Sequence, residues 1–364
     1  MNRQEEKDAL RLLAKLGEAH GAAGYEDSVR SIFQEEIGAG VYSDKMGNVF
    51  YEKQGNPDSP RVMLTAHMDE VGFVVQSVSK GGLIRFMPLG GWWSHTLLAH
   101  RVRIRTRNGN EVIGVIGAKP PHLLDKNERE RLMSIEDMFI DVGAASKEEV
   151  LGRFQIGLGD PIVPDSSFTR MSNPDFLLCK GFDNRVGMAI VIQTVNLLKD
   201  CEHACSVYAV GTVQEEVGVR GAQTAVFGAN PDLAIVLEGS PADDLPSVSE
   251  DERQGVPGQG VQIRLMDPSA IMHRKLTQHL IDMAGKLNIS YQVAVRKSGG
   301  TDARAIHLHS AGVPTAVLGV PARYIHTHNG IIHLEDYTST LKLVVEFLRT
   351  LDRETVNKFT AFDL

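Results

Sequence analysis

Several apolar runs in this chain end in residues that bind metals or move protons. Val62–Ala66 runs into His67 and Asp69, and Ser206–Val213 into Glu215 and Glu216. Leu233–Leu237 runs into Glu238, and Pro314–Val320 leads through Arg323, Tyr324 and Ile325 to His326. Asp183 stands just ahead of an apolar helical stretch, Val186–Leu198. Open α/β sheets place their ligand sites at the carboxyl ends of strands, which is where these groups fall.

Taken singly, most of them have two readings. His67 and Asp69 have strand spacing, so both side chains can point the same way. A metal-bound imidazole needs its second nitrogen held by an acceptor, and a carboxylate two residues on could supply one. The same pair is also an ordinary polar turn, and Asp183 an ordinary N-cap. Glu215-Glu216 is harder to explain as a solvated face, because the run before it reads as buried. One glutamate could bind a metal while the other faces the water to be deprotonated, as hydrolysis requires. His326 has histidine neighbours, His328 and His333, any of which could be merely exposed. Together, two His, one Asp and two Glu form a ligand set for a pair of divalent ions. Nitrogen and oxygen donors without cysteine fit zinc, cobalt or manganese. Paired carboxylates also cleave sugars, but a glycosidase has no use for His67 and His326. Cys201-Glu-His203-Ala-Cys205 has metal-cluster composition, yet its place between a helical run and a strand reads as a surface turn.

The elements that must position these groups are legible as periodicity. Helices are predicted over 5–20, 26–37, 184–199, 219–227, 269–287 and 335–350, and strands over 61–66, 206–213, 233–237, 290–295 and 314–319. Between about 71 and 167 the texture changes to short β-type runs broken by Gly, Pro and Asn, with one helix-prone charged segment near 125–135. The expected fold class is α/β, with residues 1–70 and 168–364 forming one catalytic unit and 71–167 a β-rich unit inserted into it.

Composition narrows the function classes. The formal charge of −8 and the lack of a Lys/Arg-rich run argue against nucleic-acid binding. No stretch approaches the roughly 20 apolar residues of a membrane span. The N-terminus is charged from its first residues and carries no apolar core of secretory type, and three cysteines are few for a disulfide framework. A cytoplasmic location is expected.

In this order and spacing, a set of short motifs resembles the M42 family of metallo-aminopeptidases. That group includes tetrahedral cytosolic peptidases, glutamyl aminopeptidases and proteins once labelled endoglucanases. The resemblance runs through Gly24-Tyr25-Glu26, Asp44-x-x-Gly47-Asn48, Ala66-His67-Met68-Asp69-Glu70-Val71-Gly72 and Gly90-Gly91-Trp92. It continues in Gly181-Phe182-Asp183-Asn184-Arg185, Gln214-Glu215-Glu216, Gly299-Gly300-Thr301-Asp302-Ala303 and Arg323-Tyr324-Ile325-His326. It implies a zinc-peptidase-like α/β/α sandwich with an inserted β-barrel-like domain serving dimerisation and substrate access. It also implies two divalent ions bridged by Asp183, with His67 and Glu238 completing one site and Glu216 and His326 the other. Glu215 would be the general base, and Asp69 would orient His67. Peptides are the implied substrates, and a homo-dodecamer built from dimers the implied assembly. Related peptidases commonly carry Asp at the position of Glu238, and Ser-Pro just after the position of His326. The rival readings are a metal-dependent deacylase of N-acyl amino acids or small amides, and a non-catalytic oligomeric binding protein.

Overall fold

The computed structural model describes residues 3–56, 58–199 and 201–361. The chain begins with α1 (Arg3–Glu18) and α2 (Asp27–Ile37), whose buried faces carry Leu12, Leu13 and Leu16, and Val29, Ile32 and Phe33. Their spacings of i, i+1, i+4 and i, i+3, i+4 put each set on one side of its helix, making one apolar stripe per helix. Strands β1 (Tyr42–Ser43), β2 (Val49–Lys53) and β3 (Arg61–His67) follow. Next come β4 (Gly72–Val78), β5 (Ile84–Leu89), β6 (Arg101–Arg105), β7 (Glu111–Gly117), α3 (Lys126–Glu130), β8 (Phe139–Asp141), α4 (Lys147–Gly152) and β9 (Pro161–Pro164). The remaining strands are β10 (Thr169–Arg170), β11 (Phe176–Cys179), β12 (Ser206–Thr212), β13 (Leu233–Pro241), β14 (Val261–Asp267), β15 (Ala270–Ile271), β16 (Tyr291–Val295), β17 (Thr315–Arg323) and β18 (Gly330–His333). The helices among them are α5 (Phe182–Leu198), α6 (Arg220–Ala229), α7 (Arg274–Lys286), α8 (Ala303–Ile306), α9 (Leu334–Thr350) and α10 (Arg353–Thr360).

The large sheet runs β1-β2-β12-β3-β13-β17-β18-β11-β10, with β14 branching from β17 and carrying β15 and β16. Its centre, β12-β3-β13-β17, is parallel. Alternation along β3 sends Val62, Leu64 and Ala66 into a core shared with α1, α2, α5 and α9, while Met63 enters a second core under α6 and α8. Burial on both faces explains why these strands read as nearly continuous apolar runs. Strands β4-β5-β8-β7-β6-β9 close into an antiparallel barrel around Phe73, Phe86, Val102, Ile104, Ile116, Ile140 and Ile162.

Two predicted boundaries shift, and one strand that was not predicted, β14, joins the sheet. β13 continues past Leu237 to Pro241, because Glu238 to Pro241 pair with Gly319 to Ala322 of β17. The helix expected from 269 starts at Arg274, since Ala270 and Ile271 pair back onto β14. In β14, Gln262 and Arg264 are buried between the alternating Val261, Ile263 and Leu265, and Arg264 donates to Asp267 at 3.1 Å and to Ser240 Oγ at 3.0 Å. The segment Cys201–Cys205 is a turn, with His203 Nδ1 2.7 Å from the Cys205 carbonyl, and all three cysteines are free thiols. Among the described residues no helix is long and apolar enough to cross a membrane.

The barrel touches the sheet unit through Tyr25, whose hydroxyl donates to Gly159 O at 2.7 Å, and through Arg105, which donates to Ser28 Oγ. His20 is buried, at 1% exposure. Burial, and then the nearby Arg105 and Lys180 cations, push its pKa from 6.5 down to about 2. The folded protein therefore holds His20 neutral, while the unfolded chain protonates it below pH 6.5. Stability is flat above that pH and falls as the pH drops, by about 1.4 kcal/mol at pH 5.5. Urea unfolding of wild type and His20→Leu at pH 7.5 and 5.5 should show the difference between them shift by that amount in the variant's favour. An equal acid response in both proteins would mean that His20 does not titrate this way.

Candidate metal centre

The five groups singled out as metal ligands converge where the parallel strands end. His67 is the last residue of β3, Glu238 lies within β13, and Glu216 follows β12. His326 follows β17. Asp183 sits at the start of α5, where the backbone departs from helical angles at Asp183 and Asn184. The N-cap of α5 is Gly181, not Asp183. The two Asp183 oxygens face two imidazoles instead, Oδ1 3.2 Å from His67 Nε2 and Oδ2 3.5 Å from His326 Nε2. Glu238 Oε2 is 3.6 Å from His67 Nε2, and Glu216 Oε2 is 3.3 Å from His326 Nε2. The result is two three-residue clusters sharing Asp183: His67, Asp183 and Glu238, and Asp183, Glu216 and His326.

The donor set fits two cations. Ligands about 2.0–2.1 Å from a tetrahedral zinc stand about 3.3 Å from one another, close to the separations just given. Both imidazoles are turned to present Nε2: His67 Nδ1 is 3.1 Å from the Asp69 carbonyl, and His326 Nδ1 is 2.8 Å from the Gly91 carbonyl. Glu216 Oε1 and Glu238 Oε1 are buried with no hydrogen-bond partner, and such orphaned acceptors call for positive charge. Gly90 lets the Gly91 loop approach, since its φ is +87° and a Cβ there would lie 2.7 Å from Val71 Cγ1.

Electrostatics point the same way. Burial works to lower the His67 pKa, but hydrogen bonds to Asp183, Asp69 and Glu238 override it and raise it well above its ordinary value. His326 behaves alike: burial opposes, while Asp183 and Glu216 lift it to about 11. Burial pushes Glu238 up to about 7 and raises Glu216 as well. Burial also raises Glu215 well above its usual range, reinforced by Glu238, Asp302 and Glu216. A cluster of carboxylates that cannot all ionise alone is the expected state of a site built to hold cations.

Glu215 belongs to neither cluster. Its loop is held from below by Asp69, which accepts the Glu215 N–H at Oδ1 (2.9 Å) and the Glu216 N–H at Oδ2 (3.0 Å). The Asp69 carboxylate is 3.5 Å from His67 Nδ1, so the nearer acceptor for that ring is the Asp69 carbonyl.

Comparison with known proteins gives the family and the fold. The sequence model of the M42 glutamyl aminopeptidase family matches residues 47–343. The chain belongs to the M42 peptidase family. It is 36% identical to the putative aminopeptidase FrvX of Escherichia coli K12 over 97% of this chain and 98% of that protein. The TET aminopeptidase of Thaumarchaeota archaeon SCGC AB-539-E09 superimposes with a TM-score of 0.92 at 41% identity, covering 97% of this chain and 100% of that one. The TET1 peptidase of Pyrococcus horikoshii, described as assembling into a tetrahedron or a large octahedral shell, superimposes at 0.84 with 31% identity over 94% and 100% of the two chains. This M42 protein is therefore a hydrolase of a metal-dependent aminopeptidase family, and its fold is the expected α/β one with a closed barrel.

Several supporting residues of the M42 site carry no signal in a single side chain. Asn184 donates to Glu238 Oε2 at 3.0 Å and to Leu237 O at 2.7 Å, and its own oxygen accepts from Gly187 N. Asp302, within the Gly299–Ala303 motif, is buried against Thr212, and burial lifts its pKa to about 6. His328 is not an exposed neighbour of His326 but a buried ring stacked on His100 at 4.2 Å. His333 caps α9 by accepting from Glu335 N.

Proposed function

We propose that the chain is a two-metal aminopeptidase that removes N-terminal residues from peptides. The observation that carries this reading is the pair of clusters sharing Asp183, with one further carboxylate, Glu215, beside them and bound to neither. Zinc suits the nitrogen and oxygen donors best, with cobalt or manganese as substitutes. Bound there, two divalent cations would supply Lewis acidity and bring a water's pKa toward neutrality. His67, Asp183 and Glu238 hold one cation; Asp183, Glu216 and His326 hold the other. Glu215 accepts the proton as water attacks the peptide carbonyl and returns it to the departing amine. Asp69 keeps Glu215 and Glu216 in place through their backbone N–H groups and presents His67 through its carbonyl. Residues 71–167 act as an inserted unit for dimerisation and substrate access within a homo-oligomer, a dodecamer built from dimers; the assemblies described for the TET1 peptidase support this reading. A reducing cytoplasm suits the three free thiols.

The test uses chelator-stripped protein on a panel of aminoacyl-4-nitroanilides and their N-acetylated counterparts, with zinc, cobalt or manganese added back. Ion-dependent release from the free-amine series alone is expected, and the preferred residue in that series defines the specificity. Release of acetate from the acetylated series, with the anilide left intact and no turnover of the free-amine series, would make the protein a deacylase. Two bound ions without turnover of either series would leave a binding protein.

A further inference from the structure

The Gly24-Tyr25-Glu26 motif has no part in the ligand set, yet Glu26 is buried at 3% exposure within reach of the catalytic loop. It occupies the N-cap position of α2 but makes no side-chain cap there. Helices favour Ser, Thr, Asp or Asn at that position, because a short side chain can turn back onto the first free N–H groups. The longer Glu26 reaches elsewhere. Its Oε1 accepts the Gly24 N–H at 2.7 Å and, 188 residues along the chain, the Gln214 N–H at 3.1 Å.

Gln214 is itself unusual, because its φ is +55° without being glycine. Residues in this region persist only where the surroundings hold them. The Gln214 carbonyl accepts from Arg220 N at 3.2 Å, and its N–H is taken by Glu26. With Asp69 on the next two N–H groups, three successive amides of the strand-to-loop turn end on buried carboxylates. The turn after β12 is thus fixed from two sides: Asp69 holds Glu215 and Glu216, and Glu26 holds the residue that launches them.

We propose that Glu26 is a positioning residue for the catalytic base: by capturing the Gln214 N–H it fixes the left-handed turn that sets where Glu215 projects. This rests on the reading of Glu215 as the base. What Glu26 must supply is a buried oxygen acceptor at the right reach. Glutamine keeps such an oxygen, aspartate falls one methylene short, and alanine has none.

The test compares Glu26→Gln, Glu26→Asp and Glu26→Ala in metal-loaded, full-length protein. Glu26→Ala should lower kcat by about 10–100-fold, the range for lost supporting hydrogen bonds around metal sites, while KM and two bound ions per chain are retained. Glu26→Gln should recover most of that loss. Amide exchange across residues 206–222 should speed up in Glu26→Ala and stay near wild type in Glu26→Gln. If Glu26→Ala does not fold, Glu26→Asp carries the same comparison. Unchanged kcat and unchanged exchange in Glu26→Ala overturn the proposal, as does an equal loss in Glu26→Gln. If wild type itself turns over no free-amine substrate, the reading of Glu215 fails separately. The exchange data then still judge Glu26, and unaltered protection would overturn its role.

Discussion

Glu215→Gln should leave two ions bound per chain and lower kcat by about 10²–10⁴-fold, the usual worth of a general base. The substitution preserves length and shape. The loop stays anchored, because the bonds that hold it run from the Glu215 and Glu216 N–H groups to Asp69, not from the Glu215 carboxylate. What is lost is the ability to take a proton. Glu216→Gln makes the contrast: that carboxylate faces His326 at 3.3 Å within a ligand cluster, so its replacement should weaken binding of one ion as well as turnover. Elemental analysis and kcat, measured on the two variants side by side, separate the roles. Normal turnover in Glu215→Gln would remove it as the base. Loss of an ion there would move it into the ligand set.

The candidate ligand positions were legible because four of them follow apolar strand runs and Asp183 precedes an apolar helix, and a carboxylate or imidazole beside a buried strand has little else to do. The fold class followed from the same runs. What was not legible lies in contacts between distant segments. Asp69 was readable as the partner of His67 from their spacing, but its bonds to the Glu215 and Glu216 amides join residues about 146 positions apart. Glu238 marked the end of β13 in the sequence, because a charged residue usually breaks a buried strand. It sits inside the strand because the pleat turns its side chain toward His67 and Asn184 supports it. β14 is absent from the predicted strands for the opposite reason: Gln262 and Arg264, between the alternating Val261, Ile263 and Leu265, read as a solvent-facing set but are buried. Nothing in the sequence separates an exposed His328 from the buried ring that stacks on His100.

Glu70 is the least conspicuous residue of its motif, and its loss should be among the most damaging to the fold. It is 1% exposed and accepts from Lys180 Nζ at 2.7 Å and Arg185 Nη2 at 3.1 Å, both cations fully buried. Lys180 also donates to Ala19 O, and Arg185 to Gly21 O and Met68 O. Three chain segments are thereby tied together, and two of them carry His67, Asp69 and Asp183. Packing there is tight: a Cβ on Gly181 would lie 3.2 Å from Glu70 Oε2, at a φ of +62°. Glu70→Ala leaves two cations facing each other in a dry interior, and removing one partner of a buried ion pair costs about 3–5 kcal/mol. Most of that cost belongs to the stranded cations, so Glu70→Ala/Lys180→Met, which removes one of them, should recover part of it. Urea unfolding in the presence of chelator measures both variants without a contribution from bound ions. A loss below about 1 kcal/mol for Glu70→Ala would mean that water reaches Lys180 and Arg185, and the triad would then not be the frame that holds the two ligand segments together.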